Sequence, residues 1–158
     1  PMLAGEQQAL GAIDGAGSLK ELLASPDWIG SESLVETLRP ILLRLCASYL
    51  TDTRDGRGPS DPVARFHLGN GARLERVNWL ANLSPRGLRE SCGIMVNYLY
   101  DPDTIETNHE AFVRHGAVAQ GVSVTALLTR PAEGARRPSR LASLVSSRKP
   151  KGAPIGVQ

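Results

Sequence analysis

Apolar residues at Leu34, Val35, Leu38, Leu42, Leu45, Cys46 and Tyr49 recur at spacings of three and four, which predicts one face of a helix from about Glu32 to Tyr49. Ser31 or Ser33 starts it, and Pro40 predicts a kink or a split near Arg39. Upstream, residues 1–17 are rich in Gly and Ala and carry little pattern. Ser18 and Glu21 then form a capping-box sequence, opening a short helix that Pro26 and Gly30 stop.

After a polar loop over 51–62, Val63, Arg65 and His67 alternate with Ala64, Phe66 and Leu68, which predicts a strand. Gly69-Asn70-Gly71 interrupts it with residues that tolerate positive φ. Arg73 to Leu80 reads as a second strand. Ser84-Pro85 reads as N-cap and first helical residue, so a helix is predicted through Leu88, Cys92, Met95, Val96 and Leu99 to about Tyr100. In such a helix Tyr98 and Tyr100 diverge by about 200°, so at most one faces a shared pocket. Asp101-Pro102 ends it. A helix from about Asp103 to Arg114, stopped by Gly116, and a helical piece from Val118 to Leu128 follow. Residues 129–158 hold four prolines and few large apolar side chains, which predicts a disordered tail. There is no internal repeat.

The chain has 158 residues, enough for one modest domain or part of a larger one. Aromatics make up only 4%, which argues against a stacking platform for single-stranded nucleic acid. No apolar run approaches the roughly 18 residues of a membrane span, and the first residues show neither a basic nor an apolar signal region. A soluble chain is the expectation. The formal charge of +2 hides an asymmetry. Residues 129–158 carry seven Lys/Arg against Glu133 alone, while the other 128 residues hold 11 bases and 15 acids. Cys46 and Cys92 sit in apolar helical patterns without CxxC spacing, so buried reduced thiols are expected.

Among the three histidines, His109 and His115 fail the HExxH test, because Val113 stands where the second ligand belongs. They read as solvated helix residues, and no metal site is expected. His67 precedes the Gly69-Asn70-Gly71 turn, where a loop can present a side chain and backbone can approach a ligand. An imidazole there suits proton transfer or carboxylate binding, and a core histidine satisfied by a carbonyl is the competing reading. Neither GxGxxG, nor GxxxxGK[ST], nor GxSxG occurs.

One longer pattern is more specific. Asp61-Pro62-Val63-Ala64-Arg65-Phe66-His67-Leu68-Gly69-Asn70-Gly71-Ala72, then Leu74 and Arg76-Val77-Asn78-Trp79, then Ser91-Cys92-Gly93-Ile94-Met95-Val96-Asn97-Tyr98-Leu99-Tyr100, closely resembles the malonyl-CoA decarboxylase family. The resemblance takes in Leu45 to Leu50 and covers roughly residues 34 to 128. It implies an α/β chain of the helix-rich α+β kind, the C-terminal part of a catalytic domain similar to the GNAT acyltransferase fold. It also implies removal of the distal carboxylate of malonyl-CoA to give acetyl-CoA and carbon dioxide, in a homo-oligomer, with no metal or organic cofactor.

Carried onto this chain, the family's catalytic histidine falls on His67 and the pocket tyrosine on Tyr100. Asn70 lies in the same block and is expected to line the site as a substrate-binding residue. The family's catalytic serine and CoA-phosphate loop lie well upstream of the histidine block. Only 66 residues precede His67, and Ser18, Ser25, Ser31, Ser33, Ser48 and Ser60 match no such serine. The expectation is therefore a fragment or truncated relative carrying part of the site. Two other readings compete: a catalytically incomplete helical interaction module with a basic tail for acidic surfaces, and another acyl-CoA enzyme on the same fold. The last three residues, Gly156-Val157-Gln158, lack a Ser-Lys-Leu address, and a cytoplasmic protein is expected, bound neither to membrane nor to specific nucleic acid.

Overall fold

The computed structural model describes residues 1–13, 17–53 and 58–129. Of the expected basic tail, everything from 130 onward lies outside the described residues. In chain order come α1 (Ala4–Gly11), α2 (Leu19–Leu22), a 3₁₀ turn (Pro26–Gly30), α3 (Glu32–Thr51), α4 (Pro62–Gly69), β1 (Arg73–Asn78), α5 (Pro85–Ser91), β2 (Met95–Leu99), α6 (Ile105–His115) and α7 (Val122–Thr129). The architecture is helix-rich α+β.

Helix α3 is the spine. It packs against α1, the 3₁₀ turn, β1 and α7. Leu38, Ile41, Leu42, Ala47 and Leu50 are its buried positions, whereas Tyr49, expected on the apolar face, is 52% exposed. Pro40 does not split the helix, which continues unbroken from Glu32 to Thr51. Proline costs a helix the bond to the carbonyl four residues back. Here both Pro40 and Glu36 are solvent-exposed, so water can satisfy that carbonyl. The capping box of α2 forms as its sequence requires: Glu21 N–H donates to Ser18 Oγ (3.3 Å), and Ser18 N–H donates to Glu21 Oε2 (2.7 Å).

Residues 63–68 form a helix, not the expected strand. Asp61 is the N-cap, its Oδ1 accepting from Ala64 N–H at 2.7 Å, and Pro62 occupies the first turn. Ala64 and Leu68, one helical repeat apart, are fully buried, while Val63 and Phe66 stand in solvent. The six-residue alternation arose because two large apolar side chains point outward.

The expected helix from Ser84 to Tyr100 divides. Its first part is α5, capped by Ser84 Oγ accepting from Gly87 N–H at 3.0 Å. Cys92 and Gly93 then adopt left-handed conformations, φ 52 and 73, which end a helix as an αL cap does. Met95 to Leu99 emerge extended, as β2. The sheet is antiparallel, pairing Arg73 with Leu99, Leu74 with Tyr98, Arg76 with Asn97, Val77 with Val96 and Asn78 with Met95. Glu75 is the extra residue of a bulge. The bulge turns Leu74 and Val77, three apart, to one face, where both are buried. Opposite partners share a face, so Val96 and Tyr98 lie on it too, and Met95, Asn97 and Leu99 lie on the exposed one.

The expected helix from Val118 begins only at Val122. Before it, the chain runs beside β1: Leu74 N–H donates to Ala119 O and Gly121 N–H to Leu74 O, both at 2.9 Å. Gly121 permits this approach, since a Cβ there would lie 2.7 Å from the Glu75 carbonyl oxygen.

Candidate active site

His67 occupies the last turn of α4, and Tyr100 follows β2. The His67 imidazole Nδ1 lies 2.9 Å from the Tyr100 hydroxyl oxygen, a hydrogen bond in which either group donates according to tautomer. On one face the imidazole stacks on the Tyr98 ring, with centroids 4.4 Å apart and planes inclined by 13°. The Phe66 ring meets it edge-on at 5.3 Å. Nε2 has no hydrogen-bond partner among the described residues. The pair is open to one side: His67 is half-buried, Tyr100 is 41% exposed and Phe66 64%.

The strand geometry explains why both tyrosines arrive together. Side chains two apart on an extended chain share a face, whereas on a helix they diverge. The expectation that at most one could face a common pocket is therefore corrected. Tyr98 is the residue that sequence reasoning missed, and the alternation Val96, Tyr98, Tyr100 was its signal.

The turn after α4 is held from α6. Asn108 Nδ2 donates to Gly71 O at 3.1 Å, and His109 Nδ1 lies 2.6 Å from Gly69 O. That bond requires the Nδ1–H form and gives His109 a definite partner, where a solvated helix histidine was expected. Gly71 has φ +81, and a Cβ there would fall 2.1 Å from the Ile105 carbonyl oxygen. Asn70 turns back on its own helix, its Nδ2 donating to Phe66 O at 2.8 Å. Beyond Tyr100, Asp101 is tied to β1 through Arg73, whose Nη1 donates to Oδ2 at 3.1 Å and whose Nε donates to Glu75 at 2.6 Å.

No serine hydroxyl bonds to His67 or Tyr100 among the described residues. A cavity of about 490 Å³ lies among α2, the 3₁₀ turn and the start of α3, lined by Leu22, Trp28 and Leu34 together with Glu21, Ser25 and Asp27, whose polar atoms are engaged in the local caps of α2 and the 3₁₀ turn. A smaller one, about 300 Å³, touches Tyr98 together with Glu75, Arg76, Asn97 and Leu99. Cys46 and Cys92 are free and half-buried, and Cys92 sits at the cap of α5 rather than inside a helix. Burial pushes both thiols up, Cys46 to about 11 with help from Asp61 and Cys92. No helix of the described residues is long and apolar enough to cross a membrane.

Residues 2–137 match the family described as the malonyl-CoA decarboxylase C-terminal domain. The mitochondrial malonyl-CoA decarboxylase of Anser anser anser is 46% identical over 96 residues, covering 61% of this chain and 19% of that protein. The mitochondrial enzyme of Mus musculus is 46% identical over 98 residues, covering 60% and 20%. Among solved structures, malonyl-CoA decarboxylase from Rhodopseudomonas palustris is similar with a TM-score of 0.63 at 43% identity, covering 78% of this chain and 28% of that one. The Agrobacterium vitis protein gives 0.64 at 40% identity, covering 78% and 32%. The chain thus spans about a fifth of the length of the curated relatives it matches. The expectation of a cytoplasmic protein is overturned by these relatives, since the goose and mouse proteins are named as mitochondrial.

Proposed function

Since this chain belongs to the malonyl-CoA decarboxylase family, across the C-terminal domain of that family, we propose that it supplies the imidazole half of a site converting malonyl-CoA to acetyl-CoA and carbon dioxide. The observation that carries this reading is the His67–Tyr100 hydrogen bond at 2.9 Å, with Nε2 left to a ligand.

Decarboxylation breaks the bond between the distal carboxylate and the methylene carbon, and its electron pair passes into the thioester as an enolate. The thioester is the electron sink, so the reading calls for no metal or organic cofactor. Two tasks remain for the protein. The carboxylate must be turned so that the breaking bond aligns with the thioester π system, a positioning effect. The enolate oxygen needs a donor placed in advance, and the carbon then needs a proton. When the Tyr100 hydroxyl donates to Nδ1, the His67 Nε2 carries the hydrogen and can serve as that donor. Asn70 stays in the reading as a substrate-lining residue, since its second amide hydrogen and its Oδ1 have no partner among the described residues.

The open side of the pair, with Val63 58% and Phe66 64% exposed beside it, supports a site completed by chain upstream of these residues. A GNAT-like sheet, to which β1 contributes its pairing with β2 and a single parallel bridge from Leu74 to Gln120, and homo-oligomeric assembly of the complete enzyme belong to the same reading. The family match favours it over a non-catalytic interaction module or a different acyl-CoA enzyme.

The test is acetyl-CoA production from malonyl-CoA by this chain alone and by a form extended upstream to the family's length. Turnover is expected from the extended form and far less from the chain alone. A folded extended form that leaves malonyl-CoA intact overturns the proposal.

A further inference from the structure

We propose that Tyr98 is a positioning residue, whose ring face fixes the plane of the His67 imidazole so that Nδ1 meets Tyr100 and Nε2 is left without a hydrogen-bond partner among the described residues. This rests on the decarboxylase reading for its catalytic consequence, and on geometry alone for the stack itself. An imidazole on the last turn of a short helix has two rotatable bonds, and one hydrogen bond at Nδ1 leaves the ring free to swing about it. A second contact on the ring face removes that freedom. Tyr98 supplies one, with centroids 4.4 Å apart and an interplanar angle of 13°.

Tyr98 is itself held. It pairs across the sheet with Leu74, which is fully buried, and it packs against the core while half-buried. Its hydroxyl makes no hydrogen bond among the described residues, and His67 meets it through the ring face. Burial, with Asp61 and Cys46 nearby, pushes that hydroxyl up to about 12, and Tyr98 therefore remains uncharged at neutral pH. Tyr98 and Tyr100 thus divide the work by register: one residue fixes the plane, and the next on the same face fixes the nitrogen.

Two experiments separate this inference from the function on which it draws. In this chain alone, nuclear magnetic resonance should place the His67 ring protons upfield of those of His115, through the Tyr98 ring current. That upfield position should persist in Tyr98→Phe and move markedly downfield in Tyr98→Leu, where only the edge contacts of Phe66 and Tyr100 remain. It needs no substrate and stands even if malonyl-CoA is not turned over. In the extended form, Tyr98→Leu should lower kcat by about 10- to 100-fold with little change in KM, as misplacement of a reacting group does. Tyr98→Phe should restore most of it. A wild-type His67 spectrum without the upfield position overturns the stack, even if Tyr98→Leu fails to fold. An unchanged kcat in folded Tyr98→Leu, or a Tyr98→Phe variant as impaired as the leucine, overturns the positioning role.

Discussion

His67 and Tyr100 stand 33 positions apart in sequence, and 2.9 Å separates imidazole Nδ1 from phenol oxygen. The bond joins the end of α4 to the end of β2, two elements whose only covalent route runs through β1 and α5. Their juxtaposition depends on the antiparallel register that sets Leu74 against Tyr98, and on the α6 side chains that pin the turn after α4.

In the extended form, His67→Ala should lower kcat by about 10²–10⁴-fold while leaving the fold intact, the usual contribution of a positioned acid–base group. His109→Ala should behave in the opposite way. It removes one hydrogen bond to Gly69 O, costing about 1 kcal/mol of stability, with a much smaller effect on turnover. Assays of acetyl-CoA paired with thermal melts check both, and a His109 variant as inactive as the His67 variant would contradict this division.

Gly71→Ala should be among the most damaging small substitutions. The position needs positive φ, and the new methyl would meet the Ile105 carbonyl oxygen at 2.1 Å. Such a combination costs about 1–3 kcal/mol in backbone strain before any clash is relieved. Urea unfolding of the purified variant should show an earlier midpoint, and an unaltered midpoint would be incompatible with this packing.

Stability should fall in acid through Glu6. Its carboxylate, buried on α1, meets the Arg44 guanidinium of α3 in a two-point pair that includes Nη2 to Oε2 at 2.6 Å, and it accepts from Leu3 N–H at 2.8 Å. Burial opposes ionisation, but Arg44 and the Leu3 N–H together hold the carboxyl below its ordinary value of 4.5. A carboxyl depressed in the fold stabilises it above the unfolded value and loses that contribution as pH falls through the folded one. Urea midpoints should therefore drop more between about pH 6 and about pH 3 in the parent than in Glu6→Gln. Equal drops would remove Glu6 from the account.

The thiols should be slow. Cys46, pushed up to about 11, and Cys92, also raised, carry little thiolate at neutral pH. A disulfide reagent should label both readily only after denaturant is added. Rapid native labelling of both would show that their burial is transient.

Much of this protein is local and was readable as such. Ser18 with Glu21, Ser31 before α3, Ser84-Pro85 before α5 and Gly116 after α6 act within one turn of chain, through side chains that satisfy or end a helix's own backbone. The family block around His67 was legible because residue identity alone carries it. Other features depended on contacts distant in sequence. Whether 63–68 coils or extends turned on Ala64 and Leu68 finding a core, since six alternating residues fit both periods. Met95 to Leu99 form a strand, with Tyr100 just past its end, because Cys92 and Gly93 turn left-handed and β1 offers a ladder, two facts that helical spacing cannot foresee. That change from helix to strand decides the site. It alters the rotation between Tyr98 and Tyr100 from divergent to shared, and so lets tertiary pairing place two rings on one histidine that the sequence could only name.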